Sequence, residues 1–319
     1  MQDRKIKHLE IVRGKAVEPV PSVWEKYRLP YKTLPEINYA EIDTTINWLG
    51  KKLKQPLLIS SMTGGVALAK TINHNAARAA EAAGVALGLG SMRILLKDKD
   101  LIETFKVRKL CPSVPLLANL GAVQLNYGVT ADDINYLTDA VEADGIFLHL
   151  NALQEAIQPE GDTNFAGLFK KLELVIPKLE RPVIVKEVGH GIDKATMKKL
   201  LTLPLGGIDV AGVGGTSWAW VEGYRRDDNL GEHFKAVGYP TDECLSFAKD
   251  LERPNPMNII ASGGIRSGAD GAKSLMLGAD LYAAAKPFLE SAIDSPEAQS
   301  TKHTQHLSLI HISEPTRPY

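Results

Sequence analysis

Cysteine is almost absent: Cys111 and Cys244 are the two in 319 residues. They stand far apart, with no CxxC spacing and no histidine cluster nearby, which excludes a disulfide framework and a zinc site and fits a reducing compartment. No stretch approaches the roughly 18 uncharged residues that a membrane span needs. The opening MQDRKIKHLEIV lacks the apolar core of a signal peptide. These absences lead us to expect a cytoplasmic protein with no membrane partner. An excess of either charge is missing too: 37 Lys and Arg face 38 Asp and Glu, a net charge of -1. Such a balance offers no basic field to nucleic acid and no acidic tail. Finally, no GxGxxG follows the first predicted strand, so the fingerprint of a doubly wound dinucleotide fold is lacking.

What is present is a 44% hydrophobic chain, enough to bury one large core. Short runs rich in Val, Ile, Leu and Ala alternate with segments of helical period, the pattern of parallel strands joined by crossover helices. Eight strands are predicted, at Pro56–Met62, Ala86–Gly90, Pro115–Gly121, Gly145–Asn151, Pro182–Gly189, Gly207–Gly212, Asn258–Gly264 and Leu281–Ala285. Between the first two, Ile72, Ala76, Ala79 and Ala83 recur every three or four residues and share a helix face over Lys70–Ala83. Eight such units favour closure into an α/β barrel, the (β/α)8 TIM barrel, spanning 51–300. Residues 1–50 read as an extension packed over it, with four prolines between Pro19 and Tyr39 and no clear period. Residues 301–319 are read as a non-native tail: LSLIHISEPTRPY, from Leu307, resembles a translated sequencing adaptor. The expectation is then that the eighth barrel helix, starting near Pro287, is cut short.

In such a barrel, chemistry gathers on the rim at the strand C-termini. The first strand ends in SSMTGG, where Ser60, Ser61 and Thr63 carry hydroxyls and Gly64 and Gly65 are expected to let backbone approach a ligand. The second ends in Ser91 and Arg93, the third in Asn119. The fourth packs His149, Asn151, Gln154 and Glu155 into seven residues, and the fifth puts Lys186 at the end of an apolar run, where a cation needs a partner or a ligand. His149 and Asn151 alternate along their strand and so point one way. GVGGTSW after strand six and ASGGIRSG after strand seven, the latter entering a helix near Gly268, match a barrel phosphate site built from backbone N–H groups and a helix N-terminus. Plainer readings stand beside these. Lys186 is half of a structural ion pair with Glu187 or another carboxylate, and Arg93 is a solvated cation. His8 and His190 are ordinary surface or capping residues, and Trp218 and Trp220 are packing residues.

These motifs carry a resemblance. RKIKH at Arg4–His8, SSMTGG, GSMR, NLGAVQ, HLNALQEAIQPEGDTNF, VIVKEVGHGI, DVAGVGGTSW, GYPT, ASGGIRSG and AAKPFL cover nearly all of Arg4–Leu289. In them the chain resembles type 2 isopentenyl-diphosphate isomerase, the FMN-dependent form. The resemblance implies an isomerase that moves a double bond between isopentenyl and dimethylallyl diphosphate, with reduced FMN as acid/base and NADPH as reductant. FMN would contact Ser61, Met62, Thr63, Ser91, Asn119, Lys186 and Thr216, with its phosphate on Gly263, Gly264, Ala285 and Lys286. The diphosphate would meet Arg4, Lys5, Arg93, His149, Asn151 and Gln154, and Glu155 would hold Mg2+ against it. Gln154, Lys186 and His149 would stand nearest the chemistry, and the assembly would be a homotetramer or larger homo-oligomer. One departure is Met92, where the family often has Gln. The competing readings are an FMN-dependent 2-hydroxy-acid oxidase, which would need a histidine base and an arginine pair where only Arg266 stands, and a flavin-binding barrel made inactive by the shortened end.

Overall fold

The computed structural model describes residues 2–252 and 257–294. Its centre is a closed barrel of eight parallel strands: β3 (Leu57–Ile59), β4 (Ala86–Gly88), β5 (Leu116–Gly121), β6 (Gly145–His149), β7 (Val183–Lys186), β8 (Gly207–Asp209), β9 (Asn258–Ser262) and β10 (Leu281–Ala284). The strands follow one another around the barrel in chain order and β10 closes on β3. Each falls inside its predicted run. They are buried on both faces, Leu58 and Phe147 inside the barrel and Tyr282 outside it against Gly271 of the helix Gly268–Met276, which is why the sequence shows continuous apolar runs instead of alternation.

The helix predicted at Lys70–Ala83 forms as Ala67–Ala83, ending at Gly84 in the left-handed conformation. The crossover from β4 to β5 differs from the α-helical expectation. It consists of three 3₁₀ turns, Arg93–Leu96, Lys99–Thr104 and Arg108–Leu110. The last helix runs Lys286–Asp294; the expected cut in it, and the tail at 301–319, lie outside the described residues.

Two N-terminal elements did not emerge from the sequence pattern. One is an α-helix over Gln2–Gly14, whose Leu9 and Val12 join Val17 in a buried cluster with Ile72, Val221, Leu289 and Ala292. It lies over the ends of helices Ala67–Ala83, Trp218–Gly223 and Lys286–Asp294. The other is a hairpin of β1 (Ile46–Trp48) and β2 (Lys51–Leu53). Its turn holds Leu49 and Gly50, both at positive φ, the twist a two-residue hairpin loop requires. Leu49 reaches Gly145 and Gly206, so a side chain at Gly145 would lie 3.2 Å from it. The hairpin therefore stops the N-terminal end of the barrel, opposite the rim.

Candidate active site

A cavity of about 260 Å³ opens at the C-terminal ends of the strands, and every residue to which the resemblance assigns a role lines it. Its floor is one register row. Gly121 pairs with His149, His149 with Lys186, and Lys186 with Asp209, across four neighbouring strands. Lys186 Nζ donates to Asp209 Oδ2 at 2.9 Å. The wholly buried Asp209 also accepts from Ser262 Oγ at 2.5 Å and from Ala211 N at 3.2 Å. The partner that a buried cation demands is thus Asp209, not Glu187. Glu187 instead accepts the N–H groups of Val188, Gly189 and His190 and ties down the loop after β7.

His149 Nδ1 lies 2.7 Å from Asn119 Oδ1, and Asn119 Nδ2 donates to Ser61 Oγ at 2.8 Å. An amide oxygen can only accept, so Nδ1 carries the proton and Nε2 keeps its lone pair. Burial, and next the Lys186 charge, bring the imidazole down to about 4. It is therefore neutral at pH 7 and presents an acceptor beside Gly121, not the cation that an anion site would use.

At one end of the cavity the groups are side chains. Arg4 and Lys5 come from the first turns of helix Gln2–Gly14. Lys5 Nζ donates to the carbonyls of Gly64 and Ser91, and burial, with Arg4 beside it, lowers its ammonium to about 7. Arg4 Nε is buried without a partner. Arg93 pairs with Asp162, which also accepts from Gln124 Nε2 at 2.9 Å, so it is not a free solvated cation. Asn151 precedes helix Ala152–Ile157 and spends its amide on Gln154 Oε1 at 3.2 Å and Glu155 Oε1 at 2.9 Å. That leaves Asn151 Oδ1 buried and unpartnered. Glu155 Oε2 accepts from Gln158 Nε2 at 3.1 Å and Asp162 N at 2.7 Å. Burial still outweighs these bonds and raises its pKa, the condition of a carboxylate that gains from a cation.

Gln154 is held from behind. Its Nε2 donates to Glu222 Oε1 at 3.0 Å, the oxygen that lies 2.9 Å from His8 Nε2. Glu222 Oε2 accepts from Arg225 at 2.5 Å. Burial alone would raise the Glu222 carboxyl, but the bonds from His8, Gln154 and Arg225 hold it low. His8, read from sequence as a surface residue, is thus part of the site. Trp218, 5.1 Å from the His8 ring and edge-on to it, both packs and lines the cavity.

The other end is backbone. Gly263 and Gly264 have φ of 107° and 77°, and a Cβ at Gly263 would sit 2.2 Å from Gly212 O. Glycine turns from β8 and β9 therefore press directly on each other. The N–H groups of Gly215, Gly263 and Gly264 donate to nothing among the described residues. The start of helix Gly268–Met276, where Ser267 and Asp270 form a capping box, does not line the cavity as expected. Helix Lys286–Asp294 begins at this end of the cavity, with Ala285 and Lys286 on the wall. Lys286 and Arg266 both pair with Glu18, at 3.0 and 2.5 Å. Gly64 and Gly65 are a further correction. They face away from the cavity; a Cβ at Gly64 would overlap Phe105, and Gly65 N donates to Thr104 Oγ1 at 3.0 Å, so they seat the 3₁₀ crossover, not a ligand.

Sequence reasoning missed the carboxylates that hold the cations: Asp209, Glu222, Asp162 and Glu18. Only Asp209 left a signal, a charged residue in an apolar strand directly following the Lys186 strand. Among the described residues no three His, Cys, Asp or Glu side chains cluster as a metal site, and no helix is long and apolar enough to cross a membrane.

No family model matches the chain. Among solved structures it is similar to an active mutant of (S)-mandelate dehydrogenase, with 17% identity, a TM-score of 0.64, and coverage of 98% of this chain and 86% of that one. It is also similar to a mandelate oxidase variant carrying the monooxide FMN adduct, with 14% identity, a TM-score of 0.55, and coverage of 98% and 86%. At these identities the likeness is one of fold. Curated relatives are far nearer in sequence. The isopentenyl-diphosphate delta-isomerase of Rickettsia canadensis is 48% identical over 300 residues, 92% of this chain and 87% of the relative. That of Rickettsia africae is 46% identical over 308 residues, 95% and 89%. With its rim residues gathered in one barrel cavity, the chain belongs to the isopentenyl-diphosphate delta-isomerase family.

Proposed function

We propose that this isomerase works with FMN and Mg2+, and that the cavity's two anion-binding ends receive the flavin phosphate and the substrate diphosphate. The observation that carries the reading is that one cavity joins a backbone cradle of free N–H groups to a side-chain end with three cations, Arg4, Lys5 and Arg93. The cradle fits a phosphate because the N–H groups of Gly215, Gly263 and Gly264, on residues that line the cavity, have no partner among the described residues. On this reading Gly263, Gly264, Ala285 and Lys286 hold the FMN phosphate, and Ser61, Met62, Thr63, Ser91, Asn119, Lys186 and Thr216 hold the rest of the cofactor. Bound and kept reduced by NADPH, FMN supplies the acid/base chemistry for an alkene that no side chain on the wall offers.

The chain's own groups bind, orient and neutralise. Lys186 places a fixed positive charge at the cavity floor and is itself held by Asp209. Gln154, with its amide anchored on Glu222, gives a rigid neutral contact for the substrate carbons. Arg4 Nε and Asn151 Oδ1, both buried and unpaired, gain partners when a diphosphate and its metal arrive, so the orphan groups cost less in the complex than without it. Glu155 supplies a single carboxylate. It suits a Mg2+ ion whose other ligands are diphosphate oxygens and water, in place of a cage built wholly from protein. His149 accepts at Nε2, and an incoming anion favours its protonation. A homotetramer or larger homo-oligomer completes the reading.

The test is anaerobic. Purified chain with FMN, NADPH, Mg2+ and isopentenyl diphosphate is expected to yield dimethylallyl diphosphate, followed by NMR. Absence of product while the flavin is bound and reduced would overturn the reading.

A further inference from the structure

The N-terminal segment after helix Gln2–Gly14 crosses the outside of the glycine cradle and bonds to it repeatedly. Ser217 N donates to Val17 O at 2.8 Å. Trp24 Nε1 donates to Gly263 O at 3.3 Å, and Ser22 Oγ to Gly264 O at 3.4 Å. Lys273 Nζ closes the far side on Trp24 O at 2.9 Å, and Glu18 pairs with Lys286 and Arg266. Val17 and Trp24 are wholly buried, whereas Pro21, Glu25 and Lys26 of the same segment are exposed.

The direction of these bonds matters. In a trans peptide the C=O of one residue and the N–H of the next point opposite ways. Trp24 Nε1 and Thr241 Oγ1 together hold Gly263 O on the strap side. Gly264 N–H is thereby turned towards the cavity that Gly264 lines. Ser22 does the same for the Ile265 N–H through Gly264 O. Glycines at positive φ have the widest choice of peptide orientation, so this turn has the most to gain from an outside clamp.

We propose that the strap Val17–Tyr27 sets the preference of the flavin site for a phosphorylated flavin, with Trp24 as the positioning residue of the cradle. The inference rests on the FMN reading above. Trp24 touches no cofactor on this account; it acts through the Gly263–Gly264 peptide. Its loss therefore weakens the phosphate contact and leaves the ring contacts alone.

The test compares FMN with riboflavin, which lacks the phosphate, by flavin fluorescence titration of the full chain. Trp24→Phe keeps an aromatic, though smaller, side chain and removes the donor. It is expected to raise the Kd for FMN roughly five- to tenfold, the range of one net hydrogen bond, and to move riboflavin by less than about twofold. If both affinities fall together, or neither moves, the proposal fails and Trp24 is a core residue only. If Trp24→Phe does not fold, Ser22→Ala, at a half-buried position, carries the same test with a loss for FMN of roughly two- to threefold; an unchanged FMN to riboflavin ratio there overturns the proposal. Wild-type chain that binds neither flavin overturns the FMN reading itself, a result seen before any variant is made.

Discussion

On the proposed reading, the two ends of the cavity bind anions by different means. At the cradle the donors are main-chain N–H groups of Gly215, Gly263 and Gly264, with no titration in the accessible range and no rotamer freedom. At the other end they are Arg4, Lys5 and Arg93, long side chains held by carbonyls or carboxylates until a ligand competes for them. A backbone site is set by the fold, whereas a side-chain site is set by charge and protonation. The first suits a cofactor that stays, and the second a substrate that must leave.

The comparison breaks most severely at the backbone end. Gly263→Ala places a Cβ 2.2 Å from Gly212 O at a φ of 107°. The expected result is a destabilisation of about 2–4 kcal/mol together with loss of flavin on purification, read by urea unfolding and absorbance. Retention of flavin at wild-type stability would mean that the cradle is not a packed element. At the side-chain end the losses should separate. Glu155→Gln is expected to lower turnover roughly 10- to 100-fold and weaken its Mg2+ dependence, as for groups that support a metal, while FMN affinity is unchanged. Equal loss of both would make Glu155 structural.

The smallest effect concerns pH. The Lys5 ammonium sits at about 7, and an anion bound beside it raises that value. Below pH 7 Lys5 is already charged and gains nothing. Above 7 the complex must take up a proton, so affinity falls with rising pH, by at most about tenfold per unit. Calorimetry with inorganic pyrophosphate in buffers of differing ionisation enthalpy measures the uptake, and Lys5→Arg is expected to remove the part due to Lys5. An identical pH profile in the two proteins would show that Lys5 does not titrate on binding.

How much of this was legible beforehand follows the same division. Strand positions were readable because parallel strands buried on both faces announce themselves as apolar runs. Strand ends such as Lys186 and His149 were readable because a polar residue there interrupts such a run. Helix Gln2–Gly14 was not, because charge surrounds Leu9 and Val12, and Ile6 remains exposed, so no clear apolar stripe marks its buried face. The hairpin of β1 and β2 escaped because its strands are three residues each and its turn is Leu49-Gly50 in place of Asn-Gly. Asp162, Glu222 and Glu18 escaped for a different reason. A carboxylate on a loop or helix looks the same in sequence whether it faces water or a cation from another part of the chain, and only closure of the barrel decides which.

The bond from Lys273 to Trp24 spans 249 residues. The strap comes from the beginning of the chain, and the cradle beneath it is made near the end, from Gly212 to Lys286. A ribosome releasing this polypeptide has exposed the strap long before there is anything for it to close upon, and the loop it seals is almost the whole barrel. On the FMN reading proposed above, capture of flavin is therefore a late event, possible only after the last strand has joined the first. The flavin's own fluorescence would then serve as a clock for barrel closure, reporting the completion of the fold and none of its earlier steps.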